Sequence, residues 1–328
     1  MSFVTALLLL ASGDSLVGRD AFSRLDFGIG AREVAMGGAA TACCNSPAAA
    51  FWNPAALTML SAGAVSSFYQ FTPLGSAFRS DRDVSASLAW GQPAGYFAFG
   101  FVLDHLRLGG IEARKRETRY PDGFLDYSET MASLCASFWV MPGLSVGVGG
   151  TGYLEGYSAI GGNTAYPALA ASGFSGYFGI QYSPVQTIRA GVSARLPARL
   201  DWGDELVADV VSQRTAFGLA LLPMRGLTIT AELDSRKNRA CNLSAGAEYA
   251  VAFSEPAPWN QKTLLKAALR AGIKDGLSFG SAVTSTAAAT AGGGIEYGRA
   301  GFRLALDYAV VCRSVFRDCH SIGLTVSY

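Results

Sequence analysis

The sequence predicts an all-β fold: a transmembrane antiparallel β-barrel of about fourteen strands, with a short N-terminal segment in its lumen. Three observations carry this. After residue 60 the chain runs in period-two segments of about 9–13 residues, the length a tilted strand needs to cross a bilayer. Tight Pro/Gly turns alternate with longer connections. Of the 328 residues, 50% are hydrophobic and only 16% charged, against roughly 25% charged in ordinary soluble domains. Mean hydropathy is +0.26, yet no apolar run approaches the roughly 20 residues of a membrane helix. A barrel explains this, because only alternate residues face lipid and hydropathy is diluted along each strand.

Taken in order, residues 1–13 (M-S-F-V-T-A-L-L-L-L-A-S-G) read as a signal peptide ending in Ala11-Ser12-Gly13, without a positive n-region. Residues 14–60 read as an N-terminal arm and hatch or plug segment. Within them Phe27 to Leu60 is rich in Gly and Ala and almost uncharged, and contains Phe51-Trp52-Asn53-Pro54. Residues 61–328 read as the barrel, with strands expected at 64–72, 83–91, 95–104, 129–140, 143–154, 171–183, 186–196, 211–222, 226–236, 241–252, 263–274, 287–297, 300–310 and 320–328.

The alternation is plain in 226–234, where Leu227, Ile229, Ala231 and Leu233 oppose Thr228, Thr230, Glu232 and Asp234. In 263–274, Leu265, Ala267, Leu269 and Ile273 oppose Lys266, Arg270 and Lys274. The charged face must be the lumen, since charge facing lipid costs up to about 2–4 kcal/mol at midplane. Tight turns at 92–95, 141–143, 183–186, 223–226 and 297–300 each join an even strand to the next odd one, and most longer connections join odd to even. Short turns are periplasmic in such barrels, so both termini are expected in the periplasm of a bacterial outer membrane. Trp90, Tyr96, Trp139, Tyr153, Tyr182, Tyr249, Tyr297 and Tyr308 lie toward strand ends, where amphipathic rings suit the membrane interface.

Candidate chemistry is sparse. Gly147 to Gly152 match G-x-G-x-x-G, but the glycines sit inside a strand, whereas a dinucleotide fingerprint needs a strand–turn–helix. They read as a wall strand against which another segment packs closely. The two histidines, His105 and His320, have no nucleophile in a known context. The six cysteines form no metal pattern. Cys312 and Cys319 flank one loop, and an exported protein can bridge such a pair. No enzyme, cofactor or metal site is expected, and the net charge of +1 argues against a nucleic-acid partner. Mixed charges on the lumenal face (Arg189, Arg195, Glu232, Asp234, Glu248, Lys266, Arg270, Glu296, Arg303 and Asp307) fit a closed lumen better than a selective ion path, which carries one dominant sign. Gly37, Gly38, Phe51, Trp52, Asn53 and Pro54 are the candidate hatch residues.

The stretch also resembles the N-terminal signature of the PorV/PorQ family of outer-membrane proteins, itself similar to the FadL family of hydrophobic-compound transporters. The resemblance rests on Gly28, Gly30, Ala31, Arg32, Ala35 to Ala39, Thr41, Ala42, Ser46, Ala48, Trp52 to Ala55 and Leu57. The chain has Cys43, Cys44 and Asn45 where the family has acidic residues, and Ala56 where it has Gly. The resemblance implies an accessory or shuttle role in type IX-like protein secretion, with secretion-system subunits and secreted cargo bound by external loops. The alternative it implies is a FadL-like transporter of a hydrophobic small molecule such as a long-chain fatty acid. Outer-membrane lipid is a partner in either case.

Overall fold

The computed structural model describes residues 21–72, 84–113, 123–159, 168–202, 208–236, 241–255, 263–279, 287–299, 301–313 and 318–328. In chain order its strands are β1 (Ala64–Phe71), β2 (Val84–Ala94), β3 (Phe97–Ala113), β4 (Gly123–Met141), β5 (Leu144–Ala159), β6 (Leu169–Val185), β7 (Ile188–Arg195) and β8 (Ala198–Asp201). There follow β9 (Ala208–Val211), β10 (Arg214–Met224), β11 (Leu227–Arg236), β12 (Cys241–Glu255), β13 (Thr263–Phe279), β14 (Ala288–Arg299), β15 (Phe302–Arg313) and β16 (Cys319–Ser327). Each wall strand pairs antiparallel with its neighbour, and β1 pairs with β16 from Ala64↔Ser327 to Phe71↔His320, which closes a fourteen-strand barrel of β1–β7 and β10–β16.

Strands β8 and β9 continue the β7–β10 hairpin in the same register, from Arg195↔Arg214 to Ala198↔Val211. Between β7 and β8 stands Pro197, which has no N–H to give a ladder. Five residues of β6 here face six of the other strand, Tyr177↔Arg195 giving way to Ser172↔Asp201, as in a bulge. Among the described residues, strand β9 pairs in the sheet with β8 alone. Its Val210 carbonyl accepts instead from Ala21 N, inside the barrel.

The two faces are inverted relative to a soluble sandwich. Leu265, Leu269 and Ile273 of β13 are 45%, 73% and 55% exposed, while Arg270 between them is buried. The same holds round the ring, with Phe174, Leu219, Ile229, Leu304 and Ile322 outward and Ser87, Asp104, Thr151, Gln181 and Glu232 buried inward. Such a belt is stable only against lipid. The five tight turns fall at one end, four of them using Gly95, Gly143, Gly226 and Gly301 at positive φ. At that end Tyr328 N also donates to Gly63 O.

Every expected strand overlaps a wall strand, but several run on toward the long-loop end. Strand β4 starts at Gly123 rather than 129, and β13 ends at Phe279 rather than 274. Crossing lipid needs only about 9–11 residues, so beyond that length nothing forces the apolar alternation. The four-residue β8 and β9 carry too few residues to show a period.

Two expectations are corrected. Tyr153 is not an interface residue. It is 1% exposed, shares the lumenal face with Thr151, and meets Phe22 edge-on at 4.9 Å. Cys312 and Cys319 are not bridged. Cys319 is buried opposite Val311 in the β15–β16 ladder, so Cys312, one residue on, points to the other face and is exposed.

Candidate functional site

Residues 29–60 come close to β2, β3, β5, β6, β7, β10, β12, β13, β14 and β16, all from their inward faces. A segment touching strands all round a closed ring lies inside it. Fourteen strands leave more room than their own side chains fill, and this segment fills it. It comprises a short helix (Ala31–Ala35), a turn through Gly37 and Gly38 at φ +71° and +72°, a second helix (Ala49–Trp52) and a 3-10 turn (Pro54–Met59).

The wall receives it with paired glycines. Gly91↔Gly100, Gly147↔Gly179, Gly191↔Gly218 and Gly246↔Gly272 are direct cross-strand partners. A Cβ at Gly147 would stand 2.6 Å from Ala55 N, at Gly191 2.4 Å from Thr41 O, and at Gly246 2.3 Å from Met36 O. Backbone thus packs on backbone, which explains the Gly/Ala composition on both sides. The glycines expected to mark a close-packed wall strand do so at Gly147.

A segment with so little regular structure must find partners for its own N–H and C=O groups, and wall side chains supply them. Thr230, Thr290, Ser145 and Tyr177 donate to the carbonyls of Ala39, Ala35, Ala55 and Ala50. Gln181 Nε2 donates to Ala42 O, and Glu232 accepts from Thr41 N. Asn53 is the densest junction. Its Nδ2 donates to Thr41 O at 2.9 Å, Gln181 Oε1 at 3.1 Å and Ile180 O at 3.2 Å, while its Oδ1 accepts from Ala55 N and caps the turn that Pro54 begins. Trp52 Nε1 donates to Ile29 O, and its ring meets Phe51 edge-on at 5.2 Å. Asn53→Ala should lower stability by about 1–3 kcal/mol, the cost of leaving buried polar groups unmatched, measurable as an earlier loss of the heat-resistant folded band on a gel.

The ten charges named from the sequence share the parity of the buried inward residues on their strands, and most of them form ion pairs. Glu248 accepts from Arg32 Nε and Nη2, each at 2.9 Å, and from Arg270 Nε at 2.6 Å; Arg270 also reaches Asp307 at 2.6 Å. Arg214 pairs with Glu232 at 2.9 Å and Asp234 at 2.5 Å and lies over Trp52, while Arg195 lies over Phe51 at 4.9 Å and donates to its carbonyl. Lys266 and Glu296 approach to 3.7 Å, and with Arg303 they line a cavity of about 340 Å³ on the tight-turn side of the segment. Arg189 is half-buried on the same face as Gly191.

Three partners escaped the sequence reading. Arg32 lies within the motif itself, and Arg214 and Arg236 fall in phase with the inward residues of their own strands. Two residues along from Asp234, Arg236 was signalled by parity; it pairs with Asp26 of the arm. Cys43 and Cys44 are packing residues, since burial pushes the Cys43 thiol up to about 11 and raises Cys44 as well.

Fold and lumen together define a fourteen-strand barrel of the outer-membrane type with an internal segment. Solved structures of similar fold include hydrocarbon channels. The chain is similar to the toluene transporter TbuX of Ralstonia pickettii, with a TM-score of 0.59 at 15% identity over 92% of this chain and 97% of that one. It is similar to the toluene transporter TodX of Pseudomonas putida, with the same score, identity and coverage. A Pseudomonas aeruginosa FadL homologue superposes with a TM-score of 0.54 at 12% identity, over 91% and 96% of the two chains. At these identities the likeness is one of fold. No protein-family model matches the chain, and no curated protein matches its sequence.

Proposed function

We propose that this chain is an outer-membrane transporter of hydrophobic small molecules, of FadL type, in which residues 29–60 act as the hatch and the tight-turn end faces the periplasm. The observation that carries the reading is a buried apolar cluster inside the lumen, which runs from Leu57 and Leu60 of the segment to Phe22, Tyr153, Leu200 and Val211 on its long-loop side. Water and ions gain nothing from such a surface, whereas an apolar solute does. The fold likeness to hydrocarbon channels supports the same reading. The secretion-accessory alternative rests on the N-terminal motif alone.

A solute at this cluster leaves past the segment or through the wall beside β9, whose outer edge has no strand partner among the described residues. The test is uptake of radiolabelled toluene and of a long-chain fatty acid by cells that lack their own hydrocarbon channels. Expression of the chain should raise uptake of at least one of them well above the empty-vector control. Uptake equal to the control, with secretion subunits co-purifying from the native membrane, would overturn the proposal.

A further inference from the structure

The cavity of about 340 Å³ on the tight-turn side of the segment carries a charge surplus, because four cations and three carboxylates line it. Arg32 and Arg270 are matched by Glu248 and Asp307, and Lys266 by Glu296 at 3.7 Å. That leaves Arg303, which forms no ion pair among the described residues. Strand β15 turns it inward, directly opposite Ser327 of β16 on one side and Gly298 of β14 on the other. A Cβ at Gly298 would come 3.4 Å from Arg303 Cγ and 3.6 Å from Leu264 Cβ. Any side chain there would crowd the arginine, whereas glycine leaves that flank open, and Arg303 stays exposed.

The same cavity has an apolar wall. Met59 and Leu60 of the segment line it, and Leu60 also belongs to the buried apolar cluster of the lumen. One residue is thus shared between the apolar interior and the polar vestibule. A solute with an acidic head and an apolar body suits both at once, its body against Leu60 and its head on Arg303. A guanidinium offers its paired donors to a planar carboxylate in matching geometry. A single negative charge cancels the surplus, while a second would face three carboxylates, and a neutral hydrocarbon leaves the guanidinium unmatched. The volume lies at the lower end of small-ligand pockets, which suits one ring or a short chain. We infer that this vestibule binds a small organic monocarboxylate, with Arg303 on its carboxylate and the Ser327 hydroxyl beside it. This rests on the transporter reading for the passage of the solute, and it narrows the substrate to an organic acid.

The full-length protein in detergent is titrated calorimetrically with benzoate and with benzyl alcohol, which has a similar shape without the charge. The wild type should bind benzoate at least about tenfold more tightly than the alcohol, as a hydrogen-bonded charge requires. Arg303→Gln should weaken benzoate by about the same factor and leave the alcohol unchanged. Arg303→Lys, which keeps the charge and loses the fork, should recover part of the loss. Hexanoate in the same series separates a chain from a ring, and either acid held through Arg303 supports the site. Benzoate affinity indifferent to Arg303→Gln, or chloride binding as tightly as benzoate, would overturn the inference. The acid-to-alcohol ratio in the wild type needs no variant, and a ratio near one would overturn it as well. Benzoate uptake by cells expressing the wild type, with an affinity indifferent to Arg303, leaves transport standing and removes the site. Benzoate held through Arg303 but not taken up keeps the site and removes transport.

Discussion

Glu248→Gln should cost about 3–5 kcal/mol of stability, the loss expected when one member of a buried ion-pair network is removed and its partners stay charged. The carboxylate takes both arms of the Arg32 guanidinium and Arg270 Nε. Side-chain exposure is 7% at Glu248, 6% at Arg270 and 14% at Arg32. Glutamine keeps the volume but leaves two guanidiniums facing Asp307 and the more distant Glu33, 3.7 Å from Arg32.

The opposing effect is hydration. All four main members line the 340 Å³ cavity on the tight-turn side, and water entering there would reduce the loss. Their low exposure argues that burial wins. The measurement is the temperature at which the folded band disappears, in the single variant and in Arg32→Gln with Glu248→Gln. Rescue in the double variant would show that the unpaired charge, not the lost shape, is the damage. A loss under about 1 kcal/mol would mean that the network behaves as an exposed one.

The wall was legible because lipid enforces its period. Leu265, Leu269 and Ile273 could be assigned outward and Arg270 inward from order alone, and the order of neighbouring strands followed from the turns. The lumen was legible only by sign. Order shows that Glu248 and Arg270 share a face, yet the residue that ties them to the segment, Arg32, lies 216 positions away from Glu248. Its partner is chosen by how the segment coils, which no local period records. The close-packing role of the wall glycines was readable at Gly147 from a motif that failed its usual context. The glycines at 191, 218, 246 and 272 show no such mark and become a belt only once cross-strand register is known. Tyr153 misled for a related reason: a tyrosine near a strand end looks the same from either face, and only parity with Thr151 turns it inward.

Those glycine pairs carry the other large effect. A valine at Gly272 would set its Cβ 2.5 Å from Gly37 N and 2.6 Å from Met36 C, and one at Gly246 would stand 2.3 Å from Met36 O. None of these neighbours is a side chain that can swing aside, and overpacking of a tight contact costs about 1–3 kcal/mol at each site. On the far side, Gly37 N is held by Thr290 Oγ1 at 3.0 Å, so the turn cannot retreat without losing that bond. The β12–β13 ladder needs neither side chain and should survive. Gly246→Val with Gly272→Val should therefore give a folded barrel whose segment no longer seats. In planar bilayers it should conduct ions well above the wild type, with the heat-resistant band retained. Gly152→Ala, whose Cβ would meet nothing within 4 Å, should match the wild type on both counts. Were the double valine variant as silent as the wild type, the segment would be yielding by the width of a methyl group without opening a path. The hatch would then have to work by local rearrangement near Asn53 or the arm, because a unit that stays sealed when pushed off its seat is not one that opens by leaving it.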